Sequence, residues 1–170
     1  ADATDIPVML YDIPGRTSIA IETETIVALA KHPRIVALKD AKGNLLETTK
    51  VLAQTDLDVY SGDDGMTLPY MSLGAKGVVS VTAHVAAPQY RELVDAAAAG
   101  DLETAQRLHF ALDPIQRALM THIQGAVAAK SVLHWQNVLP NSVVRLPLVQ
   151  ATAEELSPVT ADLREAGWEI

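Results

Sequence analysis

No cysteine occurs in the chain, which excludes a disulfide scaffold, thiolate zinc sites and a cysteine nucleophile. The same lack fits a reducing cytoplasm, so a cytoplasmic location is expected. No run of lysine or arginine offsets the net charge of −8. That balance argues against a nucleic-acid groove or an anionic membrane surface as partner. No stretch reaches the roughly 20 apolar residues that span a bilayer. Ala1 to Asp5 lack the basic start and long apolar centre of a secretory leader, and there is no initiator methionine. A chain that continues something longer is therefore expected. The five histidines (His32, His84, His109, His122, His134) lack paired metal-ligand spacing, so no metal is expected. Low-complexity tracts are missing too, and with 49% hydrophobic residues the chain should be globular.

What is present is organised around Ile35-Val36-Ala37-Leu38-Lys39-Asp40. Four apolar residues run straight into a lysine, and a glycine-containing turn follows to Asn44. Such a run reads as a strand buried on both faces, as in a parallel sheet. Three more short apolar runs recur, at Val8–Tyr11, Leu57–Tyr60 and Gly77–Val81. Helically spaced stretches lie between them, at Ile26 to Ala30, Leu45 to Ala53 and Met66 to Leu73. This alternation is the signature of parallel βα units. Beyond Val81 the strands stop, and residues 88–98, 101–112, 114–137 and 152–166 read as helices. Gly100 reads as a left-handed cap, Pro114 as the opening of the third of these helices, and Thr152 with Glu155 as a capping box. Residues 140–150, with Pro140 and Pro147, read as irregular chain. The expected fold class is α/β, with four βα units and then a helical extension from about residue 100.

Parallel strands all point one way, so the polar residues after each strand end share one rim, where ligands collect in α/β folds. Lys39 stands there half desolvated, which disfavours its ammonium form and makes an amine nucleophile accessible. The plainer alternative is a lysine that ends a strand and points into water. Tyr11 also ends a strand, and alternation puts Met9 with Tyr11, and Ala37 with Lys39, on one face. A phenol beside an amine can shuttle protons as an imine forms, although an ordinary tyrosine at the edge of the core is the simpler reading. Arg16, in Pro14-Gly15-Arg16-Thr17, could hold a carboxylate by two parallel hydrogen bonds, or could be a solvated loop arginine. Ser61-Gly62-Asp63-Asp64 reads as a helix start with an acidic cap in preference to paired carboxylates for metal or acid–base chemistry. Gly62 there allows close backbone approach to a ligand. Gly74-Ala75-Lys76-Gly77 precedes a strand and lacks a Gly-Lys-Ser/Thr ending, so it reads as a helix stop, not a phosphate loop. His84 could line the rim, and Lys130 reads as snorkelling from a helix.

Taken together, Leu10-Tyr11-Asp12-Ile13-Pro14-Gly15-Arg16-Thr17, Leu38-Lys39-Asp40-Ala41-Lys42-Gly43, Tyr60-Ser61-Gly62-Asp63-Asp64 and Gly74-Ala75-Lys76-Gly77-Val78-Val79-Ser80-Val81 resemble the dihydrodipicolinate synthase family, of the N-acetylneuraminate lyase superfamily. The 28-residue step from Tyr11 to Lys39 also matches that family. The resemblance implies the carboxyl-terminal half of a TIM (β/α)8 barrel, strands 5–8, over residues 1–99, and a helical domain over 100–170. It implies that Lys39 forms a Schiff base with pyruvate and that Tyr11 relays the proton. It further implies backbone contacts to pyruvate from Val79, and a grip by Arg16 on the carboxylate of aspartate semialdehyde.

The implied activity is a lyase of lysine and diaminopimelate biosynthesis that makes 4-hydroxy-tetrahydrodipicolinate, with no cofactor beyond the covalent imine at Lys39. The implied partners are pyruvate, an aldehyde and further copies of the chain in a homo-oligomer, a tetramer in the family. Neither nucleic acid nor membrane is among them. The family's threonine pair and second tyrosine have no counterpart here, because they belong to the first half of the barrel, and a complete barrel needs about 250 residues. Two alternatives stand beside this reading. One is another pyruvate-dependent aldolase, such as an N-acetylneuraminate or 2-keto-3-deoxy-sugar-acid lyase. The other is a non-catalytic half barrel.

Overall fold

Four parallel strands, in the order β1-β2-β3-β4, organise the amino-terminal part of the chain in the computed structural model, which describes residues 1–169. They are β1 (Val8–Asp12), β2 (Ile35–Asp40), β3 (Asp58–Ser61) and β4 (Gly77–Val78). The helices are α1 (Pro14–Thr17), α2 (Thr23–Leu29), α3 (Leu45–Gln54), α4 (Thr67–Ser72), α5 (Ala83–Ala99), α6 (Leu102–Met120), α7 (Gly125–Trp135) and α8 (Ala153–Glu165). Among the described residues no helix is long and apolar enough to cross a membrane. The chain packs as two units: residues 1–79 with 97–100, and residues 80–96 with the chain from Asp101 on.

The first unit is built from the alternating runs. Ile26 of α2, Ile35 and Leu38 of β2, Val51 of α3, Val59 of β3 and Tyr70 of α4 are buried together with Leu57 and Ala75. At about 1.5–3 kcal/mol for each large side chain taken from water, this cluster dominates the unit's stability. The strand expectations hold in place and direction, with changes at their ends. β2 continues one residue beyond Lys39, so Lys39 pairs within the ladder and does not end it. β2 is buried on both faces except at Val36, which is 43% exposed, and at the half-buried Lys39. The run Gly77–Val81 forms a strand only over its first two residues. Pro14–Thr17, read from sequence as a turn, closes into one helical turn, because Pro14 at its first position lacks only an N–H that has no helical partner anyway. Gly74, at φ +103°, and the entry at Gly77 give the expected helix stop before β4.

In the second unit α6 packs against α7 and α8. Pro114 does not open a helix. It sits inside α6, which runs unbroken from Leu102 to Met120, and the break falls at Thr121–Gln124 instead. Ala105, Leu108, Leu112, Ile115 and Leu119 are all buried at alternating three- and four-residue steps through the proline. An interior proline costs about 3 kcal/mol, less than burial of that continuous stripe returns. Gln124 caps α7, its Oε1 accepting from the amides of Ala126 at 2.7 Å and Val127 at 3.2 Å. α5 starts five residues earlier than the sequence reading placed it, with a break at Ala86 ahead of Pro88. Gly100 takes the left-handed conformation at φ +78°, and Thr152 and Glu155 form the full capping box.

Candidate active site

Strand register assembles the centre of the site. Tyr11 of β1 lies opposite Lys39 of β2, which lies opposite Tyr60 of β3, and Tyr60 lies opposite Gly77 of β4. Because strand side chains alternate, Tyr11, Lys39 and Tyr60 project from one face. Lys39 is half-buried, and its Nζ stands 4.0 Å from the centroid of the Tyr11 ring. The amine thus meets the face of the Tyr11 ring, where its cation is attracted by about 0.5–1 kcal/mol when partly exposed. Tyr11 is 44% exposed.

Gly62 leaves space for that lysine. A β-carbon at Gly62 would lie 2.8 Å from the Ala41 Cβ and 3.1 Å from the Lys39 Cε. The Gly62 amide donates to the Asp40 carbonyl at 2.7 Å, which ties the turn after β3 to the end of β2. Beside it, the Val79 amide donates to the Ser61 carbonyl at 2.9 Å. The N–H of Val79 is therefore committed, and its carbonyl is the backbone group left to offer a ligand. Asp63 caps the short 3-10 turn at Asp64–Met66, its Oδ1 accepting from Gly65 N at 3.0 Å, as a helix-starting acid should.

Arg16 lies in α1, five residues past Tyr11. Its side chain is exposed and makes no ion pair among the described residues. His84 is exposed in the second unit, its Nδ1 at 2.8 Å from the Val81 carbonyl. Lys130 is half-buried, and its ammonium donates to the Val143 carbonyl at 2.7 Å in an exposed bond.

On the opposite face of the strands is a polar network that sequence reasoning missed. Asp12 and Asp40 are register partners, and both are buried. Asp40 accepts from the Lys42 amide at 2.9 Å and from the Thr48 hydroxyl at 2.6 Å. The Lys42 ammonium lies 3.0 Å from Asp12 Oδ2, 2.7 Å from Glu47 Oε2 and 3.0 Å from the Ile21 carbonyl. Burial works against that ammonium, but its pairing with the Glu47 and Asp12 carboxylates outweighs it and holds its pKa above the ordinary lysine value. Lys42 in turn holds the Glu47 carboxyl below its usual range. The Tyr70 phenol is pushed up by burial, with the Asp40 carboxylate adding to the effect. The signal for this network lay in the alternation itself: the residues after Tyr11 and Lys39 are both acids that must face the other way.

The sequence profile described as the dihydrodipicolinate synthetase family matches residues 1–166. A 4-hydroxy-tetrahydrodipicolinate synthase of Kineococcus radiotolerans is 53% identical over 98% of this chain and 54% of its own length. That of Mycolicibacterium paratuberculosis is 46% identical over 98% of this chain and 55% of its own. Among solved structures, dihydrodipicolinate synthase from Acinetobacter baumannii complexed with pyruvate superposes with a TM-score of 0.90 at 32% identity, covering 98% of this chain and 57% of that one. The enzyme from Cyanidioschyzon merolae with lysine bound gives 0.88 at 38% identity, covering 96% and 55%. The chain thus spans about half the length of the relatives it matches, and its four parallel strands with their helices are about half of the barrel.

Proposed function

The chain belongs to the dihydrodipicolinate synthetase family, and from that premise we propose that it carries the imine-forming part of a 4-hydroxy-tetrahydrodipicolinate synthase. In this reading residues 1–99 are the carboxyl-terminal half of the barrel and residues 100–170 the helical domain. Lys39 and Tyr11 are the catalytic residues. The Lys39 amine attacks the C2 carbonyl of pyruvate, forming a C–N bond while the oxygen takes up a proton. Loss of water from this carbinolamine leaves an iminium ion, and loss of a C3 proton gives the enamine. C3 then attacks the aldehyde carbon of aspartate semialdehyde, whose oxygen is protonated as the C–C bond forms and the Lys39 iminium returns. The substrate's own amino nitrogen then adds to the iminium carbon, closing the ring and expelling the Lys39 amine. Tyr11 carries protons through these steps, its ring lying against the Lys39 amine.

The Val79 carbonyl and the Gly62 backbone border the pyruvate, and Arg16 takes the second substrate's carboxylate. That Arg16 is exposed and makes no ion pair among the described residues supports the last role, because its donors remain available to a ligand. The chain works in the cytoplasm, in lysine and diaminopimelate biosynthesis, within a homo-oligomer that is a tetramer by family resemblance. Pyruvate and lysine, found on relatives, are the small molecules to test on it.

One observation carries the reading: the Lys39 Nζ stands 4.0 Å from the Tyr11 ring centroid, on the half-buried face of the ladder. Borohydride reduction in the presence of pyruvate should add mass at Lys39, and a well-folded sample with unmodified Lys39 would overturn it. Arg16→Ala should abolish turnover with aspartate semialdehyde while leaving imine trapping intact. Unchanged turnover would point instead to another pyruvate-dependent aldolase.

A further inference from the structure

The geometry points to Lys42 as a positioning residue that holds Tyr11 and Lys39 in register from the opposite face of the sheet. Its bearing on catalysis rests on the imine reading above, but the geometry does not. The Lys42 side chain is 11% exposed; its ammonium donates to Glu47 Oε2 at 2.7 Å and to the Ile21 carbonyl at 3.0 Å, and it forms an ion pair with Asp12 Oδ2 at 3.0 Å that lacks hydrogen-bond alignment. Asp12 is 1% exposed, and its other oxygen accepts from the Ile21 amide at 3.1 Å. Asp40 meanwhile grips the Lys42 amide at 2.9 Å, and the Ala41 amide donates to the Asp12 carbonyl at 2.8 Å.

Asp12 directly follows Tyr11, Asp40 directly follows Lys39, and each is tied to Lys42, one by its side chain and one by its main chain. A shift of the β2 end must therefore break a charge-assisted hydrogen bond, and a shift of the β1 end must pull apart an ion pair inside the protein, both costly to leave unmade. A surface lysine placed only for solubility would have one partner and open water. Here a largely buried ammonium neutralises a buried carboxylate one residue from the relay phenol. Misplacement of reacting groups by about 1 Å can cost on the order of 10²-fold in rate, so a clamp at this distance has leverage on the chemistry.

The test uses the 170-residue chain and two readouts. Because Nζ stands over the Tyr11 ring, the Lys39 ε-methylene protons should resonate upfield of those of an exposed lysine, with Lys39→Arg giving the assignment. Asp12→Asn/Lys42→Met removes both charges, so no buried ion is left unpaired. It should move those resonances back toward the exposed value and slow pyruvate trapping about tenfold or more, while Lys42→Arg keeps both near native. Resonances unchanged in a folded double variant overturn the proposal, whatever happens to trapping. Should the double variant not fold, Glu47→Ala frees one corner of the ammonium without uncovering a buried charge. It should give the same change at smaller size, and an unmoved Lys39 signal there overturns the proposal too. If the unaltered chain traps no pyruvate, the imine reading fails, and the resonance contrast still decides the role of Lys42.

Discussion

At the scale of single residues, the empty space at Gly62 matters as much as any functional group. A methyl there meets Ala41 at 2.8 Å and the Lys39 chain at 3.1 Å, so Gly62→Ala should cost about 1–3 kcal/mol in a urea titration and slow pyruvate trapping. Adding Ala41→Gly relieves the tighter contact only. The double variant should regain stability but not trapping, and recovery of both would place the effect at Ala41 alone. Glu47 gives a pH prediction. Its folded pKa lies below the ordinary 4.5 because of Lys42, so its contribution to stability is present above that value and lost as pH falls through the lower, folded pKa. The stability difference between the native chain and Glu47→Gln should therefore shrink as pH drops from about 6 to about 3. It should also be smaller at high salt, because the pair is partly exposed. A difference independent of pH would mean that the Lys42–Glu47 contact contributes nothing.

Among the elements, α6 shows packing overruling a local signal. Pro114 leaves the Phe110 carbonyl without its helical donor, yet Leu112 and Ile115 on either side are buried. Pro114→Ala should accordingly raise stability by about 1–2 kcal/mol, the regained bond being partly offset by the freer unfolded chain. Asp101→Ala should act the other way by about 1 kcal/mol, because Asp101 Oδ1 accepts from the Thr104 amide at 3.0 Å as the amino-terminal cap of the same helix. Chemical denaturation of both variants checks the pair of signs. Destabilisation by Pro114→Ala would show that the proline ring itself packs to advantage.

For the molecule as a whole, the sheet has two outer strands. β1 and β4 each pair on one side only, and on β1 Met9 is 41% exposed beside Tyr11. Unpaired parallel edges with apolar side chains seek further strands. The chain should sediment as a dimer or larger species at about tens of micromolar, and Met9→Lys, which puts a charge on that edge, should shift it toward monomer. A clean monomer of the unaltered sequence would contradict the open-edge argument.

What the sequence determined by itself was everything set by short-range pattern. Apolar runs placed the strands and their common direction. Period-two alternation put Tyr11 and Lys39 on one face, and turn and cap residues such as Gly74, Gly100 and Thr152 marked element ends, because each of these depends on neighbours a few residues away. Only tertiary structure decided the rest. Lys42 reads in sequence as one more loop lysine, and it becomes a largely buried clamp only when Asp12 and Ile21, from a different strand and its following loop, fold against it. Pro114 signals a boundary until a stripe of five buried side chains carries the helix through. That the amine lies over the face of the phenol ring, and that Gly62 makes room for it, follows from contacts between residues 28 and 23 positions apart. No local propensity encodes such distances; they are set by how three strands twist and pack.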